Sequence, residues 1–328
     1  KGWGLPLAGH KDNHSGIMTP DQMFTFREDM SIREGQEWSP NEGLSASPEL
    51  INKFLSHVPF NARGKRRYQA TPVPIESFPK IMAPRMSTQD GFGKILNEIA
   101  RSNSSYAERI ITMSPDVTVS TNLGSWVNRR KLFARQAMAD VFQEEKVVSG
   151  QKWSFSPDGQ HFELGIAENN LFLIMAAAGL SHSLFGERLL PIGTVYDPFI
   201  SRGLDALNYA CNQDARFMLV GTPSGVTLAP EGGAHQSIGA PLIGMSQDGL
   251  AAFEPAFVDE LSVIMEWAFE YIQRDGDSAY DETNWLRDTT GGSVYIRCST
   301  RTIEQVSRQI SEDLRRQIID GAYWLRAP

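Results

Sequence analysis

The sequence predicts an α/β fold, a mostly parallel sheet with helices on both faces, preceded by an irregular and partly helical N-terminal arm. Short runs of continuously apolar residues recur between residues 109 and 298, as is typical of strands that are buried on both faces. Helical patterns separate these runs. That alternation is expected when each strand is followed by a helix that crosses back over the sheet.

The N-terminal arm and its connector are placed at residues 1–86. Thr19 precedes a proline and Gln22 follows three residues later, a pattern that starts a helix. A second short helix starts at Ser47-Pro48 and runs through His57. From residue 58 to residue 85 proline recurs every few residues without a period, which predicts an extended connector.

The compact domain is placed at residues 87–315, and residues 316–328 are interpreted as the start of a C-terminal domain that this sequence lacks. The predicted strands are 109–113, 189–195, 216–221, 250–253 and 293–298. The predicted helices open near Ser87, Glu168, Pro198, His235 and Glu254. The last helix is the clearest, because its apolar residues fall at helical spacing and form a single stripe.

Charge and composition exclude several classes of function. The net charge is −8 and no long basic run is present, which argues against nucleic acid as the main partner. No stretch is apolar for long enough to predict a membrane span. Cys211 and Cys298 are too few for a disulfide framework or a cysteine-based zinc site, and a reducing cytoplasm fits this cysteine content.

One carboxylate stands out, Glu168 at the start of a helix that is otherwise almost wholly apolar. Residues 171–180 carry no charge, and a helix that is apolar all round lies inside a domain. The ordinary explanation for Glu168 is that the helix dipole favours a negative charge in the first turn. The functional explanation is a carboxyl held in a dry place, where it can share a proton with a ligand.

Other polar and aromatic residues fall on the loops that follow the predicted strands. They are Asp116, the pair Tyr196 and Phe199, and the two ends of Glu231-Gly-Gly-Ala-His235. Each has an ordinary explanation as a helix cap, a core aromatic or a solvated loop residue. In an open parallel sheet, however, such loops meet at the carboxyl edge, where ligands bind. Together with Glu168 they predict a site at that edge.

Common catalytic signatures are missing from the sequence. There is no Gly-x-Ser-x-Gly nucleophile segment, no phosphate-binding Gly-x-x-x-x-Gly-Lys-Ser/Thr and no dinucleotide Gly-x-Gly-x-x-Gly. His10 and His14 are four residues apart, but they lie in a predicted loop without a third ligand nearby. We therefore predict no metal site on this chain.

Several segments, in this order, resemble the pyrimidine-binding domain of thiamine-diphosphate enzymes of the transketolase type. Residues 165–168 resemble the segment that carries the family's glutamate, 191–199 its aromatic strand and loop, and 231–235 its Glu-Gly-x-x-His loop. Residues 253–265 resemble the strand and helix that follow, and the region around His14 resembles the active-site loop. Within the family the chain is most similar to the homodimeric pyruvate dehydrogenase E1 component.

The resemblance implies a role for each matching residue. Glu168 would hydrogen-bond the pyrimidine nitrogen of thiamine diphosphate and help to activate the cofactor. Phe199 would stack on the pyrimidine ring. Tyr196 and His235 would face the substrate and stabilise the adduct of a 2-oxo acid.

Three further residues receive supporting roles from the same resemblance. Asp116 and Glu231 would be polar groups near the cofactor. His14 would lie on a mobile loop that closes over the site and meets the lipoyl acceptor.

The resemblance also implies partners. The family's Mg²⁺-binding Gly-Asp-Gly segment is not found here, so Mg²⁺ and the diphosphate would be held by a second subunit of a homodimer or by a partner chain. A lipoyl acyltransferase component and a small 2-oxo acid would be the other partners, with no nucleic acid and no membrane.

Two other functions remain open. Around His235 the phrase Ala-His-Gln-Ser is closer to transketolase, which leaves a transketolase that moves two-carbon units between sugar phosphates as one alternative. A non-catalytic assembly domain of the same fold is the other.

Overall fold

The structure is a computed structural model that describes residues 5, 8–11, 16–58, 68–102, 104–136, 138, 145, 151–276 and 286–326. It divides the chain into two compact units, residues 1–66 and residues 67–328. The domain boundaries at residues 86 and 315 stay predictions. No helix in the described ranges is long and apolar enough to cross a membrane.

The first unit contains two short helices, α1 (Pro20–Asp29) and α2 (Pro48–His57). Thr19 caps α1 by accepting a hydrogen bond from the backbone of Gln22, while the Gln22 side chain accepts one from the backbone of Thr19. Ser47 caps α2 by accepting from the backbone of Leu50 at 3.2 Å. Both predicted helix starts are confirmed, because the cap chemistry was local to the sequence.

The second unit is built on a parallel sheet. In the described part of the chain the sheet has eight strands, ordered β4-β3-β5-β2-β6-β7-β9-β8, and β1 pairs antiparallel with β10 outside it. The strands are β1 (Arg85–Met86), β2 (Ile110–Ser114), β3 (Leu132–Phe133), β4 (Phe155–Ser156), β5 (His161–Glu163), β6 (Leu190–Val195), β7 (Met218–Gly221), β8 (Leu250–Phe253), β9 (Ser293–Arg297) and β10 (Ile303–Glu304). The predicted α/β class is confirmed.

Helices cover both faces of this sheet. They are α3 (Thr88–Arg101), α4 (Gly124–Arg130), α5 (Glu168–Gly179), α6 (Ser181–Leu184), α7 (Leu204–Asn212), α8 (Pro241–Ser246), α9 (Val258–Tyr271) and α10 (Glu312–Ile319). One core joins α3, α4, α9 and α10 to the sheet, and it includes Ile95, Ile110 and Leu261. The other core joins α5 and α7 to the opposite face, and it includes Leu171 and Phe217.

The five predicted strands are β2, β6, β7, β9 and β8, which run from the middle of the sheet to one edge, and the three strands on the other side of β2 escaped prediction. β3, β4 and β5 have only two or three residues each, too few for an apolar run to be visible. The helix expected at Glu254 begins later, at Val258. Its delay has a local cause, because the Glu260 carboxylate accepts hydrogen bonds from the backbone of Ala256 and Phe257 and holds them outside the helix.

Candidate active site

Glu168 is the first residue of α5, and it lies at the carboxyl edge of the sheet, soon after β5 ends. The chain reaches it through a turn in which Gly165 has φ +66°, a left-handed conformation that glycine adopts without strain. Glu168 is only 7% exposed. Its Oε1 accepts a hydrogen bond from Arg202 Nη1 at 2.5 Å. The carboxylate is therefore buried, and its visible partner comes from a different element.

That element is a 3-10 helix, Asp197–Gly203, which follows β6 and carries Phe199 and Arg202. A 3-10 helix has three residues per turn, so side chains three apart lie above one another. The Arg202 guanidinium carbon accordingly lies 3.7 Å from the centre of the Phe199 ring. Geometry within one turn explains this stack without any contact from elsewhere in the chain.

A glycine at the end of the 3-10 helix brings Arg202 within reach of Glu168. A Cβ atom on Gly203 would stand 2.3 Å from the ring of Phe172 and 3.1 Å from the backbone of Asn169, both on α5. Any side chain here would push the two elements apart. The absence of a side chain is what allows the Arg202–Glu168 ion pair to form.

Three aromatic rings meet beside this pair. The Tyr196 and Phe199 ring centres are 5.8 Å apart, and that of His235 lies 5.1 Å from Tyr196 and 5.4 Å from Phe199. The His235 Nδ1 atom lies 3.2 Å from the backbone oxygen of Glu231, which orients the imidazole. A phenol hydroxyl, an imidazole and a flat apolar face are thus collected next to a buried carboxylate.

Asp116 occupies a different part of the edge. It has φ +62°, and its backbone N–H donates to Glu163 Oε1 at 2.8 Å. Thr118 donates to the other oxygen of Glu163 at 2.6 Å. Burial alone would raise the pKa of the Glu163 carboxyl, but the nearby His161 and hydrogen bonds from Thr118 and this backbone amide lower it overall. Glu163 is therefore an anion that ties the loop after β2 to β5.

His161 lies beneath Glu163 and is fully buried. Its two ring nitrogens meet the hydroxyls of Thr112 at 2.8 Å and Thr118 at 2.9 Å. Burial lowers the pKa of this imidazole, so it is neutral near pH 7. With both nitrogens engaged, His161 is a structural support and leaves no atom free to contact a ligand.

A buried ionic network holds the first residue of the 3-10 helix, Asp197. Asp197 has no exposed surface, and it accepts from Arg297 Nη2 at 2.9 Å and from the hydroxyl of Tyr295. Burial and the charge of Asp197 raise the pKa of Tyr295, so its hydroxyl stays protonated and donates. Arg297 also contacts Glu254. This network fixes the backbone that presents Tyr196 and Phe199.

The structure brings most of the predicted site residues together, but not all of them. Glu168, Tyr196, Phe199 and His235 form one connected group through Arg202. The exposed carboxylates of Asp116 and Glu231 make no hydrogen bond or ion pair with that group in the ranges described. His14 lies outside the described residues.

Sequence reasoning missed Arg202 as a partner of Glu168, and it missed the Asp197–Arg297 pair. A signal for the second was available, since Arg297 interrupts the apolar strand 293–298 and a buried charge needs a partner. Asp197, directly after the predicted strand 189–195 and Tyr196, was a carboxylate without an assigned role. The contact between Glu168 and Arg202 had no such signal, because it depends on how the 3-10 helix packs on α5.

A separate cavity of about 680 Å³ opens near α3 and α4, and it is polar. Arg85, Asp90, Lys94 and Asn122 are among its lining residues, and none of the predicted site residues is. In the described ranges no group of three or more His, Cys, Asp or Glu side chains could hold a metal ion. The aromatic and carboxylate group at the sheet edge therefore remains the candidate site.

Comparison with known proteins identifies the family. The family described as "Transketolase, pyrimidine binding domain" matches residues 85–277. The chain belongs to this family. The match begins at β1 and includes the candidate site and the strands β2, β6, β7 and β8, and it confirms the resemblance drawn from the sequence.

Curated relatives of this family member are named pyruvate dehydrogenase E1 component. The chain is 24% identical to that of Corynebacterium glutamicum over 221 residues, 65% of this chain and 24% of the relative. It is 27% identical to that of Mycobacterium tuberculosis over 187 residues, 56% of this chain and 19% of the relative. The chain thus spans only about a quarter or less of these two relatives.

A solved structure of transketolase from Campylobacter jejuni has the same fold. It aligns with a TM-score of 0.50 at 13% identity, covering 88% of this chain and 33% of the transketolase chain. At that identity the likeness concerns the fold alone.

Proposed function

We propose that this chain forms the pyrimidine-binding half of the active site of a thiamine-diphosphate-dependent 2-oxo acid dehydrogenase. The whole enzyme would decarboxylate a pyruvate-like substrate and pass the acyl group to a lipoyl carrier. The observation that supports this most is the buried Glu168 at the mouth of α5, joined through Arg202 to the ring of Phe199. The names of the curated relatives support the choice of a 2-oxo acid.

The residues present fit an aminopyrimidine. Arg202 acts as a stand-in for such a ring, because its planar guanidinium covers Phe199 at 3.7 Å while it donates to Glu168. A flat group that carries hydrogen-bond donors therefore satisfies both contacts at once. When bound, thiamine diphosphate supplies the nucleophilic carbon that the reaction requires, since no side chain provides one.

Each residue of the group would then bind or orient the cofactor or the substrate. Glu168 would hold a proton at the pyrimidine nitrogen, in a place from which water is largely excluded. Phe199 would support the ring by stacking. Tyr196 and His235, which are both partly exposed, would donate hydrogen bonds to the oxygen of the 2-oxo acid as negative charge develops there.

The remaining residues of the predicted site keep smaller parts in this proposal. The exposed carboxylates of Asp116 and Glu231 would meet the cofactor or its water shell. His14, on the predicted N-terminal loop, would close over the site and meet the lipoyl acceptor. A reducing cytoplasm stays the predicted compartment.

This chain would supply only half of a site. Its family is named for pyrimidine binding, so the diphosphate and Mg²⁺ would be held by another domain, in a homodimer or a partner chain. Large apolar side chains near the start of α5 support a covered surface, since Ile166 is 76% exposed and Leu173 54% exposed. A lipoyl acyltransferase component would receive the product.

Three measurements test the proposal. Calorimetry on the 328-residue chain should find thiamine diphosphate bound weakly or not at all, and a Kd below about 1 µM would contradict the half-site. In the complete enzyme, Glu168→Ala should slow exchange of the thiazolium proton, and unchanged exchange would remove the catalytic role of Glu168. Release of CO₂ from pyruvate, set against two-carbon transfer between sugar phosphates, separates the dehydrogenase from the transketolase.

A further inference from the structure

We infer that Arg202 is a built-in occupant of the pyrimidine site, which a ligand ring must displace before it can reach Glu168 and Phe199. This inference rests on the proposed function, because it concerns the same pocket. Its starting point is that one side chain makes both of the contacts assigned to the ligand, the hydrogen bond to Glu168 and the stack on Phe199.

The two partners of the ion pair differ in burial. The Glu168 side chain is 9% exposed, and the Arg202 side chain is 49% exposed. Glu168 is fixed by the first turn of α5, whereas Arg202 has a long side chain with solvent on one side. Displacement therefore moves Arg202, while the carboxylate stays in place to receive the incoming ring.

The shape of the guanidinium explains why it fits. It is planar, it carries several N–H donors in one plane, and it stacks on aromatic faces. A pyrimidine that is protonated at its ring nitrogen presents the same features to Glu168, a planar group with an N–H directed at a carboxylate oxygen. Arg202 thus competes for the same atoms rather than merely crowding the entrance.

The position of Arg202 follows from the local backbone. Arg202 is close to Glu168 because Gly203 lets the 3-10 helix approach α5, and it lies over Phe199 because three residues complete one turn. Both causes belong to the backbone of this chain. The 3-10 helix and its packing on α5 therefore place Arg202 at both contacts.

Removing the occupant should strengthen binding of a ring. Arg202→Ala deletes one half-exposed ion pair and one half-exposed cation–π interaction, which together correspond to about a three- to tenfold change in an equilibrium constant. The probe is 4-amino-5-hydroxymethyl-2-methylpyrimidine, a neutral molecule that contains only the ring half of the cofactor. Its Kd is measured on the full chain by NMR titration, which detects millimolar binding.

Salt provides a second readout that a purely structural role would not move. Raising the salt concentration from about 0.05 to 0.5 M weakens a half-exposed ion pair, so the wild-type chain should bind the neutral ring more tightly at high salt. Arg202→Ala should show no such gain. Arg101→Ala is the matched control, since Arg101 pairs with Glu98 at 3.4 Å and its side chain is 56% exposed.

Four results separate the possibilities. Tighter ring binding by Arg202→Ala, together with loss of the salt effect, supports the inference. Equal or weaker binding by Arg202→Ala, with binding abolished by Glu168→Ala, overturns the inference and leaves the proposed function standing. Ring binding that Glu168→Ala does not weaken overturns both. No ring binding by any variant overturns the inference alone, since weak or absent binding by the single chain is what a half-site predicts. A thermal melt of each variant shows whether it is folded.

Discussion

Replacing Asp197 by alanine tests whether the buried ionic network holds the second unit together. Asp197 is fully buried, and Arg297 is only 4% exposed. Arg297 donates to Asp197 from Nη2 at 2.9 Å and from Nε at 3.2 Å. Burial alone would lower the pKa of Arg297, but the hydrogen bond and charge of Asp197 raise it. The arginine therefore stays charged and would lose its main buried partner.

The expected cost follows from that burial. Removing one partner of a buried ion pair leaves an uncompensated charge, which costs about 3–5 kcal/mol. The hydroxyl of Tyr295 also loses its acceptor, although the remaining contact of Arg297 with Glu254 limits the loss. For a unit of this size about 1 kcal/mol moves the melting temperature by 2–4 °C. We expect Asp197→Ala to melt roughly 6–20 °C below the wild type.

The assay is thermal and urea denaturation, both followed by tryptophan fluorescence, since Trp126 and Trp267 are both buried. Asp248→Ala is the matched control. Asp248 also pairs with an arginine, Arg287 at 2.5 Å, but its side chain is 87% exposed. An exposed pair contributes about 0–1 kcal/mol, so the control should unfold at nearly the wild-type urea concentration.

Similar losses of stability in the two variants would contradict the role assigned to burial of the Asp197–Arg297 pair. That role is also contradicted if Asp197→Leu combined with Arg297→Met is less stable than Asp197→Ala. That double variant removes both charges, and apolar replacement of a whole buried pair is often neutral or stabilising. If both of these results were found, packing rather than charge would account for the stability of this region.

Three other predictions concern pH, thiol reactivity and packing. Burial and two nearby arginines lower the pKa of His182 to about 4. Because the unfolded histidine binds a proton near pH 6.5, the free energy of unfolding should fall as the pH drops from about 6.5 to 4. His182→Gln should reduce this pH dependence in urea titrations. Burial raises the pKa of Cys211 and Cys298 to about 12, so iodoacetamide at about pH 8 should label neither thiol until urea is added; rapid labelling of the native chain would contradict this. Gly203→Ala should lower the melting temperature, because the added Cβ would meet Phe172 at 2.3 Å, and an unchanged melting temperature would show that the 3-10 helix can shift without loss.

Much of the site could be predicted because its residues lie at the ends of recognisable elements. Glu168 starts an apolar helix, and Tyr196 and Phe199 follow a buried strand. Parallel strands bring such positions to one edge whatever the details of packing. The grouping of Tyr196, Phe199 and His235 is therefore a consequence of topology, which the order of apolar runs along the chain indicates.

The contacts of Arg202 and Asp197 could not be predicted in the same way. A helix was expected to open near Pro198, and an α-helix would also place Arg202 near Phe199, but at an angle rather than directly above it. The 3-10 turn changes that relation, and the missing side chain at Gly203 adds the contact with Glu168. Side-chain partners across elements depend on such small shifts, and no pattern in a single sequence reports them.

The two arginine–carboxylate pairs that involve the 3-10 helix have opposite consequences because they differ in burial. Asp197 and Arg297 are both out of water, so separating them is costly and the backbone between Tyr196 and Phe199 is held in one place. Arg202 is half exposed, so water can replace its partners at a small cost. A binding site needs both properties, a rigid frame that keeps the ring-binding face in position and an occupant that leaves when a ligand arrives. An arginine–carboxylate pair provides the rigid frame where it is buried, and it provides the displaceable occupant where the arginine is exposed to solvent.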